Sequence, residues 1–428
     1  MHNIAEHPLR RVVVVGGGFA GLKIARSLSR KHFQVVLLDK LNHHQFQPLL
    51  YQVATSGLEP SSISFPFRKA FHKEKFTHFR MAEVLEILPS EKKVRTDIGE
   101  LSYDHLVIAV GADTNYFGQA NIQRHAMPMK TVGEALAIRN GLIERMEMAL
   151  NASDPETRSS LLNVVIVGGG PTGVELAGAI AEMKKYVLPK DYPEMDFGQM
   201  EIHLFEGGKR VLEALSETSS QKANRYLEDL GVHVHLEARV VDYDGSTVSL
   251  SDGSVFPAKL MLWAAGIKAN RLGGLPESAY GRGGRLLVDA HNRLLGHEDI
   301  YAVGDVALMT EKNWPNGHPQ VAQVAIQQAA LLCKNLLALA ENRPEKIRPF
   351  AYKDLGSMAT VGRNKAVVDL PKGHLGGFFA WAVWLFVHLM NILGVKNKFF
   401  IFINWMVSYL TYDQSLRLII RPKDKDGA

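Results

Sequence analysis

Six glycines at two repeated spacings are the first residues in this chain whose type and placement could do chemistry. Gly16-x-Gly18-x-x-Gly21 follows four valines, Val12 to Val15, and opens a predicted helix. Glycine is needed where the chain turns and where backbone approaches a pyrophosphate, and the helix start offers free N–H donors and positive potential. Asp39 closes the next predicted strand eighteen residues after Gly21, the place for a carboxylate that accepts from a ribose hydroxyl. Gly168-x-Gly170-x-x-Gly173 repeats the device, with Glu206 in the acid position. A GxGxxG alone is a weak signal; strand, turn, helix and acid together are a strong one. Two dinucleotide cradles imply two dinucleotides, and one FAD with one nicotinamide nucleotide is the economical pair. The Glu206 carboxylate would accept from a free 2′-hydroxyl and repel a 2′-phosphate, which favours NADH, while Lys209 and Arg210 nearby soften that preference. Pro171 starts the second helix, where a missing N–H is harmless. Gly304-Asp305 follows a further short strand, and an aspartate there can accept from the hydroxyls of a flavin's ribityl chain.

The elements that must position these residues come in duplicate. RVVVVGGGFAGLKIARSL at 11–28 recurs as NVVIVGGGPTGVELAGAI at 163–180, an offset of 152, and LVIAVGA at 106–112 is echoed by MLWAAGI at 261–267. Each copy reads as strand, glycine turn, helix and a second strand ending on its acid, then shorter strands. The acids are 167 apart, so the second copy holds fifteen extra residues, which the two prolines of 184–200 place in a loop there. Asp244-Gly245 and Asp252-Gly253 mark hairpins. The polar run 151–160 reads as a flexible crossing, and a helix is expected from about Val321 to Ala340, followed by β-like sequence to Leu370. The expected fold is α/β: two Rossmann-like dinucleotide-binding domains plus a C-terminal membrane-interface helical segment. Residues 1–160 and 286–370 would form the two parts of one dinucleotide-binding domain, 161–285 the other, and 371–428 the membrane-anchoring segment.

Composition agrees with a multidomain globular enzyme. The chain has 428 residues, 46% of them hydrophobic and 22% charged, which excludes disordered and collagen-like classes. A formal charge of +5 is too mild for a nucleic-acid protein. The single cysteine, Cys333, rules out a disulfide framework, a cysteine-based zinc site and any paired-cysteine redox centre, and it is expected in a helix core. The seventeen histidines show no metal spacing, and His43-His44 and His233-x-His235 read as structural or solvated. No metal is expected. The first ten residues have neither signal-peptide nor transit-peptide character, so the chain is expected to be cytoplasmic.

The ordered set GGGFAGL, LLDKLNHHQFQPLLYQVA, VIAVGA, VGGGPTGVELAG, LFEGGKRVL, LWAAGI, YAVGDVA and AQVAIQQ resembles the type II NADH:quinone oxidoreductases, which are single-subunit and do not pump protons. The likeness is strong over residues 11 to about 330 and looser in the tail; QPLLYQVA and AQVAIQQ are its narrowest motifs. The resemblance implies that 1–160 and 286–370 are the FAD-binding domain and 161–285 the NADH-binding domain. It implies FAD in the first copy, held by Gly16, Gly18, Phe19, Ala20, Gly21, Asp39, Lys40, Val84, Ala109, Gly111, Gly304 and Asp305. The flavin ring would lie near Pro48 and Leu49, with one edge over the helix that begins near Ala322, Gln323 and Val324. NADH would meet Gly168, Gly170, Pro171, Thr172, Gly173, Glu175, Glu206, Ala265 and Gly266. A membrane quinone, ubiquinone or menaquinone, would meet Gln323, Gln327 and Lys398. Gln323 and Gln327 are four apart and share a helix face, and an amide donor suits a quinone carbonyl that gains negative charge. Glutamines at that spacing are commonplace, so the motif match carries the assignment. Glu175, in the first turns of its helix, would influence nicotinamide binding and supply protons for the quinol, where the plain alternative is a carboxylate favoured by the helix dipole.

The most apolar stretches are 376–393 and 399–410. His388 and Asn391 interrupt the first, the second is too short to span, and Trp381 and Trp384 suit headgroup depth. Lys396, Lys398, Arg417, Arg421, Lys423 and Lys425 form a basic surround, so the tail is expected to lie on a lipid surface. A buried core or dimer interface is the plain alternative, and the resemblance itself implies a homodimer. The expected reaction passes a hydride from NADH to FAD and two electrons on to the quinone, at the cytoplasmic face of the inner membrane, with no proton pumping. A sulfide:quinone oxidoreductase would need redox cysteines. A soluble NADH-dependent reductase of an iron–sulfur partner or of oxygen would leave the tail unexplained. A membrane-tethered NADH sensor without turnover is the alternative of another class.

Overall fold

Val12 to Val15 lie in the middle strand of a five-stranded parallel sheet and are almost inaccessible to solvent. A parallel sheet is covered on both faces, so its strands read as unbroken apolar runs. The computed structural model describes residues 2–28, 32–412 and 416–420. It divides into two compact units: Met1–Gln45, Ser64–Asp113 and Ile267–Asp354 in one, Phe46–Ile63, Thr114–Gly266 and Leu355–Ala428 in the other.

In the first unit the strand order is Ile300–Ala302, His105–Ile108, Arg10–Val15, Phe33–Asp39, Thr77–Met81, each neighbouring pair parallel. The chain leaves the middle strand to one side and returns on the other, so the carboxyl end of Arg10–Val15 is a switch point where a crevice opens. The first cradle helix, Phe19–Leu28, starts there and packs against the glutamine helix, Ala322–Ala340. Val13, Val36, Leu106 and Ile300 belong to the core beneath an antiparallel sheet of Val84–Leu88, Lys93–Thr96 and Gly99–Ser102.

The second unit repeats the plan. Its parallel order is Met127–Pro128, Leu260–Trp263, Val164–Val167, Ile202–Phe205, Val232–His235. The second cradle helix, Pro171–Tyr186, rises from Val164–Val167. The two expected hairpins join Val240–Tyr243, Thr247–Leu250 and Val255–Pro257, with Gly245 and Gly253 at positive φ. A further antiparallel sheet, Ser357–Gly362, Lys365–Leu370 and Gly373–Gly376, packs on the second cradle helix. The tail helices Phe378–Asn391 and Val395–Thr411 follow.

Several sequence expectations change in detail. The run 151–160 is no flexible crossing: helix Val132–Asn151 ends in it and helix Pro155–Leu162 begins, capped by the Asp154 carboxylate accepting from the Thr157 N–H. Residues 184–200 are largely helical, since the second cradle helix runs to Tyr186 and short turns follow at Leu188–Asp191 and Phe197–Gln199. The compact units also cut the chain elsewhere than the expected domain boundaries, because 46–63, 114–160 and 355–370 all pack within the second unit. Arg421, Lys423 and Lys425 lie outside the described residues.

The closest seam in the second unit is at Gly178, where an added Cβ would lie 1.7 Å from the carbonyl oxygen of Val361. Gly178→Ala must push the strand Ser357–Gly362 off its helix. The substitution should destabilise the protein by about 2–3 kcal/mol in denaturant unfolding; an unchanged midpoint would show that the seam yields freely.

Candidate functional site

Both glycine turns are built to one specification. A Cβ at Gly16 would meet the Ala109 carbonyl oxygen at 2.4 Å, and one at Gly168 the Ala264 oxygen at 2.5 Å. A Cβ at Gly21 or Gly173 would come within 1.9 Å of the carbonyl oxygen of Gly16 or Gly168. These four glycines are glycine because backbone lies on backbone. Gly18 and Gly170 differ: beyond the chain neighbours, no atom of the described residues lies within 4 Å of an added Cβ at either. The open space beside them is the room that a pyrophosphate needs at a helix N-terminus, so both cradles fit a dinucleotide.

The acids do more than face a ribose. Asp39 accepts from the N–H of Gly17 at 2.6 Å and of Leu41 at 2.7 Å, and burial pushes its carboxyl above the ordinary carboxylate range. Glu206 accepts from Gly169 at 2.5 Å and Gly208 at 2.6 Å. Each acid therefore pins the middle glycine of its turn. His44 donates Nδ1–H to the Gly17 carbonyl at 3.1 Å, has its pKa lowered by burial, and meets Phe19 edge-on. In the second unit the N–H of Leu212 donates to the Gly169 carbonyl at 2.7 Å.

The other expected nucleotide contacts fall as follows. Gly111 is at φ +67, with its carbonyl accepting from Asn270, and Ala20 and Ala109 are buried beside the turn. Lys40 is a surface residue paired with Glu83 at 2.6 Å, and the Val84 side chain is committed to the core. Pro48 and Leu49 form a short turn, Gln47–Leu49, in which the Leu49 side chain is wholly buried. Gly170 caps the second cradle helix, Pro171 is its first residue and Thr172 is exposed. Ala265 is half-buried against the core, and Gly266 accepts from the N–H of Asn115. Arg210 donates to the carbonyls of Glu213 and Leu215, so its guanidinium is already engaged. Asp305 lies in the turn Gly304–Val306, close enough to Arg285 for their charges to interact.

Ala322, Gln323 and Val324 make the first turn of the glutamine helix, whose N-cap Val321 supplies no side-chain acceptor. Gln323 and Gln327 share a face as expected, but the Gln327 amide is occupied: Nε2 donates to the Lys353 carbonyl at 2.8 Å and Oε1 accepts from the Lys353 N–H at 3.0 Å. Gln328, which the pairing rule passed over, is buried and accepts from the Gly304 N–H at 2.7 Å.

Glu175, the fifth residue of its helix, is buried and lines a cavity of about 110 Å³ with Tyr51, Gln52, Glu182, Trp384 and Trp405. Burial pushes its carboxyl up to about 8, opposed weakly by the N–H of Thr360 at 3.4 Å and the nearby Trp384 indole, which makes no hydrogen bond of ordinary geometry among the described residues. Tyr51, Gln52 and Trp405 form a chain: Trp405 Nε1–H donates to Gln52 Oε1, and Gln52 Nε2–H to the Tyr51 hydroxyl, both at 2.8 Å.

The tail corrects one expectation. Trp384 is not at headgroup depth but 1% exposed, stacked on His388, whose imidazole burial pushes down to about 4. Asn397 and Asn404 donate to the carbonyls of Ser62 and Gly57, and Lys398 to that of Met390 at 2.7 Å. The outer faces remain apolar, with Phe379 73% and Leu410 76% exposed. Among the described residues no helix is long and apolar enough to cross a membrane.

Two cradles on two repeats of one parallel sheet define a two-dinucleotide oxidoreductase. The comparisons agree. Residues 10–329 match the pyridine nucleotide-disulphide oxidoreductase model and 355–412 the NDH2 C-terminal domain. A type II NADH:quinone oxidoreductase of Mycobacterium tuberculosis is 37% identical, over 95% of this chain and 90% of that protein. The structure of Plasmodium falciparum NDH2 in complex with NADH shares the fold, with a TM-score of 0.88 at 22% identity over 96% of this chain and all of that one. A sulfide:quinone oxidoreductase of Aquifex aeolicus follows at a TM-score of 0.72 and 17% identity, over 98% and 99%. The chain belongs to the type II NADH:quinone oxidoreductases, flavin-dependent NADH dehydrogenases within the pyridine nucleotide-disulphide oxidoreductase family.

Gly170→Val meets no atom beyond its own chain neighbours, so denaturant unfolding without nucleotide should shift only by the N-cap preference that is given up, about 1 kcal/mol or less. NADH binding, measured by titration, should weaken at least about tenfold; unimpaired binding would mean the open space is not the cradle. Glu175 gives a pH test. Its folded value exceeds its ordinary one, so the native state holds the proton more tightly than the unfolded chain, and stability falls as pH climbs from the ordinary value toward about 8. Glu175→Gln has no proton to lose. Wild type should lose stability relative to that variant by at most about 1.4 kcal/mol per pH unit across this window; parallel unfolding curves from pH ~5 to ~9 would contradict the burial argument.

Proposed function

We propose that the protein passes a hydride from NADH to bound FAD and two electrons, with two protons, to a membrane quinone, without pumping protons. We place it on the cytoplasmic face of the inner membrane, as a homodimer attached through its tail. The observation that carries this reading is the duplicated cradle, open at Gly18 and again at Gly170, followed by helices that turn apolar faces outward. The FAD, when bound, supplies the redox chemistry that no side chain here can perform.

The chain's own residues orient, bind and move protons. The backbone at Gly18 and the start of Phe19–Leu28 would hold one pyrophosphate, and Asp305 would accept from the ribityl hydroxyls. Gly170 and the start of Pro171–Tyr186 would hold the other. Glu206 keeps lone pairs for a ribose 2′-hydroxyl and would repel a 2′-phosphate; Arg210 is engaged elsewhere, which leaves Lys209 as the nearby cation to offset that repulsion, and this supports NADH over NADPH. Gln323 would donate to a quinone carbonyl at the positive end of its helix. Gln327 supports that site by tying the helix to the backbone at Lys353. Glu175 carries a proton up to pH about 8, so its carboxyl can keep one for the quinol. The exposed phenylalanines of the tail would settle into the headgroup boundary, where a lipid-dissolved acceptor is met.

A thiol mechanism like that of a sulfide:quinone oxidoreductase is not available, since Cys333 is the only cysteine and is buried, its thiol pushed up to about 12. The deciding experiment is anaerobic. NADH should bleach the yellow flavin and a short-chain quinone should restore it, whereas Gln327→Ala should slow the second step several-fold and spare the first. Recovery of colour only with oxygen or an iron–sulfur protein would replace the quinone by those acceptors. No bleaching would make the protein a sensor.

A further inference from the structure

The turn that carries Asp305 is held from three sides. The Val303 N–H donates to the Ile108 carbonyl at 3.1 Å, as an extension of the parallel sheet. The Gly304 N–H donates to Gln328 Oε1 at 2.7 Å. Gln320 Nε2–H donates to the Asp305 carbonyl at 3.0 Å. Gly304 sits at φ +74, and an added Cβ there would lie 3.2 Å from the Ala325 methyl and 3.8 Å from that of Ala20. The turn is thus seated close to both the glutamine helix and the first cradle helix.

Of these three holds, only the one at Gln328 decides the direction of the Val303–Gly304 peptide. Glycine adopts positive and negative φ with similar ease, so nothing intrinsic to Gly304 keeps it at +74. A buried N–H needs an acceptor, and the one within reach is the carbonyl of a side chain only 1% exposed. If the acceptor is removed, φ of Gly304 is no longer held, the Ala307 N–H bond to the Gly304 carbonyl must readjust with it, and Asp305 between them is re-aimed. Gln328 is one residue, or about 100° of helix, beyond Gln327, so the two glutamines serve different neighbours: Gln327 the Lys353 backbone, Gln328 the flavin turn.

We infer that Gln328 is the positioning residue for Asp305: its buried amide carbonyl locks Gly304 in the left-handed conformation and so aims the Asp305 carboxylate at the ribityl chain of FAD. The inference rests on Asp305 being the ribityl acceptor.

The test is a double-mutant cycle read by FAD affinity, from reconstitution of the protein stripped of flavin, together with the visible flavin spectrum. Gln328→Met keeps length and volume but offers only a weak acceptor, and should weaken FAD binding about tenfold. Asp305→Asn alone should also weaken it. In the Asp305→Asn background the further loss from Gln328→Met should fall below about twofold, because both act through one carboxylate. Gln328→Glu, which retains an acceptor at the same reach, should restore affinity and spectrum, whereas Gln328→Asn, one methylene shorter, should not. If Gln328→Met does not fold, this last pair carries the same comparison. Unchanged affinity in Gln328→Met, equal affinity in the Glu and Asn variants, or full additivity with Asp305→Asn would each overturn the inference. Asp305→Asn without effect would instead remove the ribityl reading beneath it.

Discussion

The bond on which both nucleotide sites depend is a short one between a carboxylate and the N–H of a middle glycine: Asp39 to Gly17, Glu206 to Gly169. Each joins the end of the second strand to the turn after the first, so the crevice at the switch point keeps one width. The bond also fixes the peptide planes that follow, and with them the direction of the free N–H groups at the helix start. Backbone packed on backbone at Gly16, Gly21, Gly168 and Gly173 leaves no room for adjustment. Fixed donors aimed where negative charge will sit are what make such a cradle tight, since nothing must reorganise when the ligand arrives.

A second constraint acts on charge. Glu175 is buried in a cavity lined by aromatic rings together with Glu182 and Arg363, and burial there withdraws the hydration that favours the ionised carboxylate. Its carboxyl stays raised because its hydrogen-bond partners are weak: a long contact from Thr360 and an indole out of good alignment. Arg363 lines the same cavity, but its guanidinium donates to the Ser408 and Tyr409 carbonyls instead of pairing with Glu175. Burial likewise pushes the imidazole of His388, stacked on Trp384, down to about 4.

The tail is bound to the second unit by polar handles and offered outward by apolar ones. Asn397, Asn404 and Trp405 reach the segment Gln52–Ser62, while Arg363 donates to the carbonyls of Ser408 and Tyr409 at the end of the last helix. The asparagines and Arg363 answer backbone carbonyls that would otherwise be stranded between a helix and a short loop, and Trp405 answers the Gln52 side chain. The phenylalanines and leucines left outside are then free for a nonaqueous partner.

The duplication, both cradles and both acids were legible in the linear order of residues, because a glycine turn between a strand and a helix is a local device whose parts lie close in sequence. The hairpins at Gly245 and Gly253 were legible for the same reason. The roles of His44, Gln328 and Trp384 were not. His44 is twenty-seven residues from the glycine it holds and Gln328 twenty-four from its own. Trp384 reads as an interfacial residue until Tyr51 and Trp405 are seen packed around it. Gln327 kept its helix face but spends its amide on a backbone segment twenty-six residues away. Spacing along a chain reports which residues share a turn or a face; which distant backbone group takes up a buried amide or imidazole is settled only when the sheets close and every hidden donor must find an acceptor.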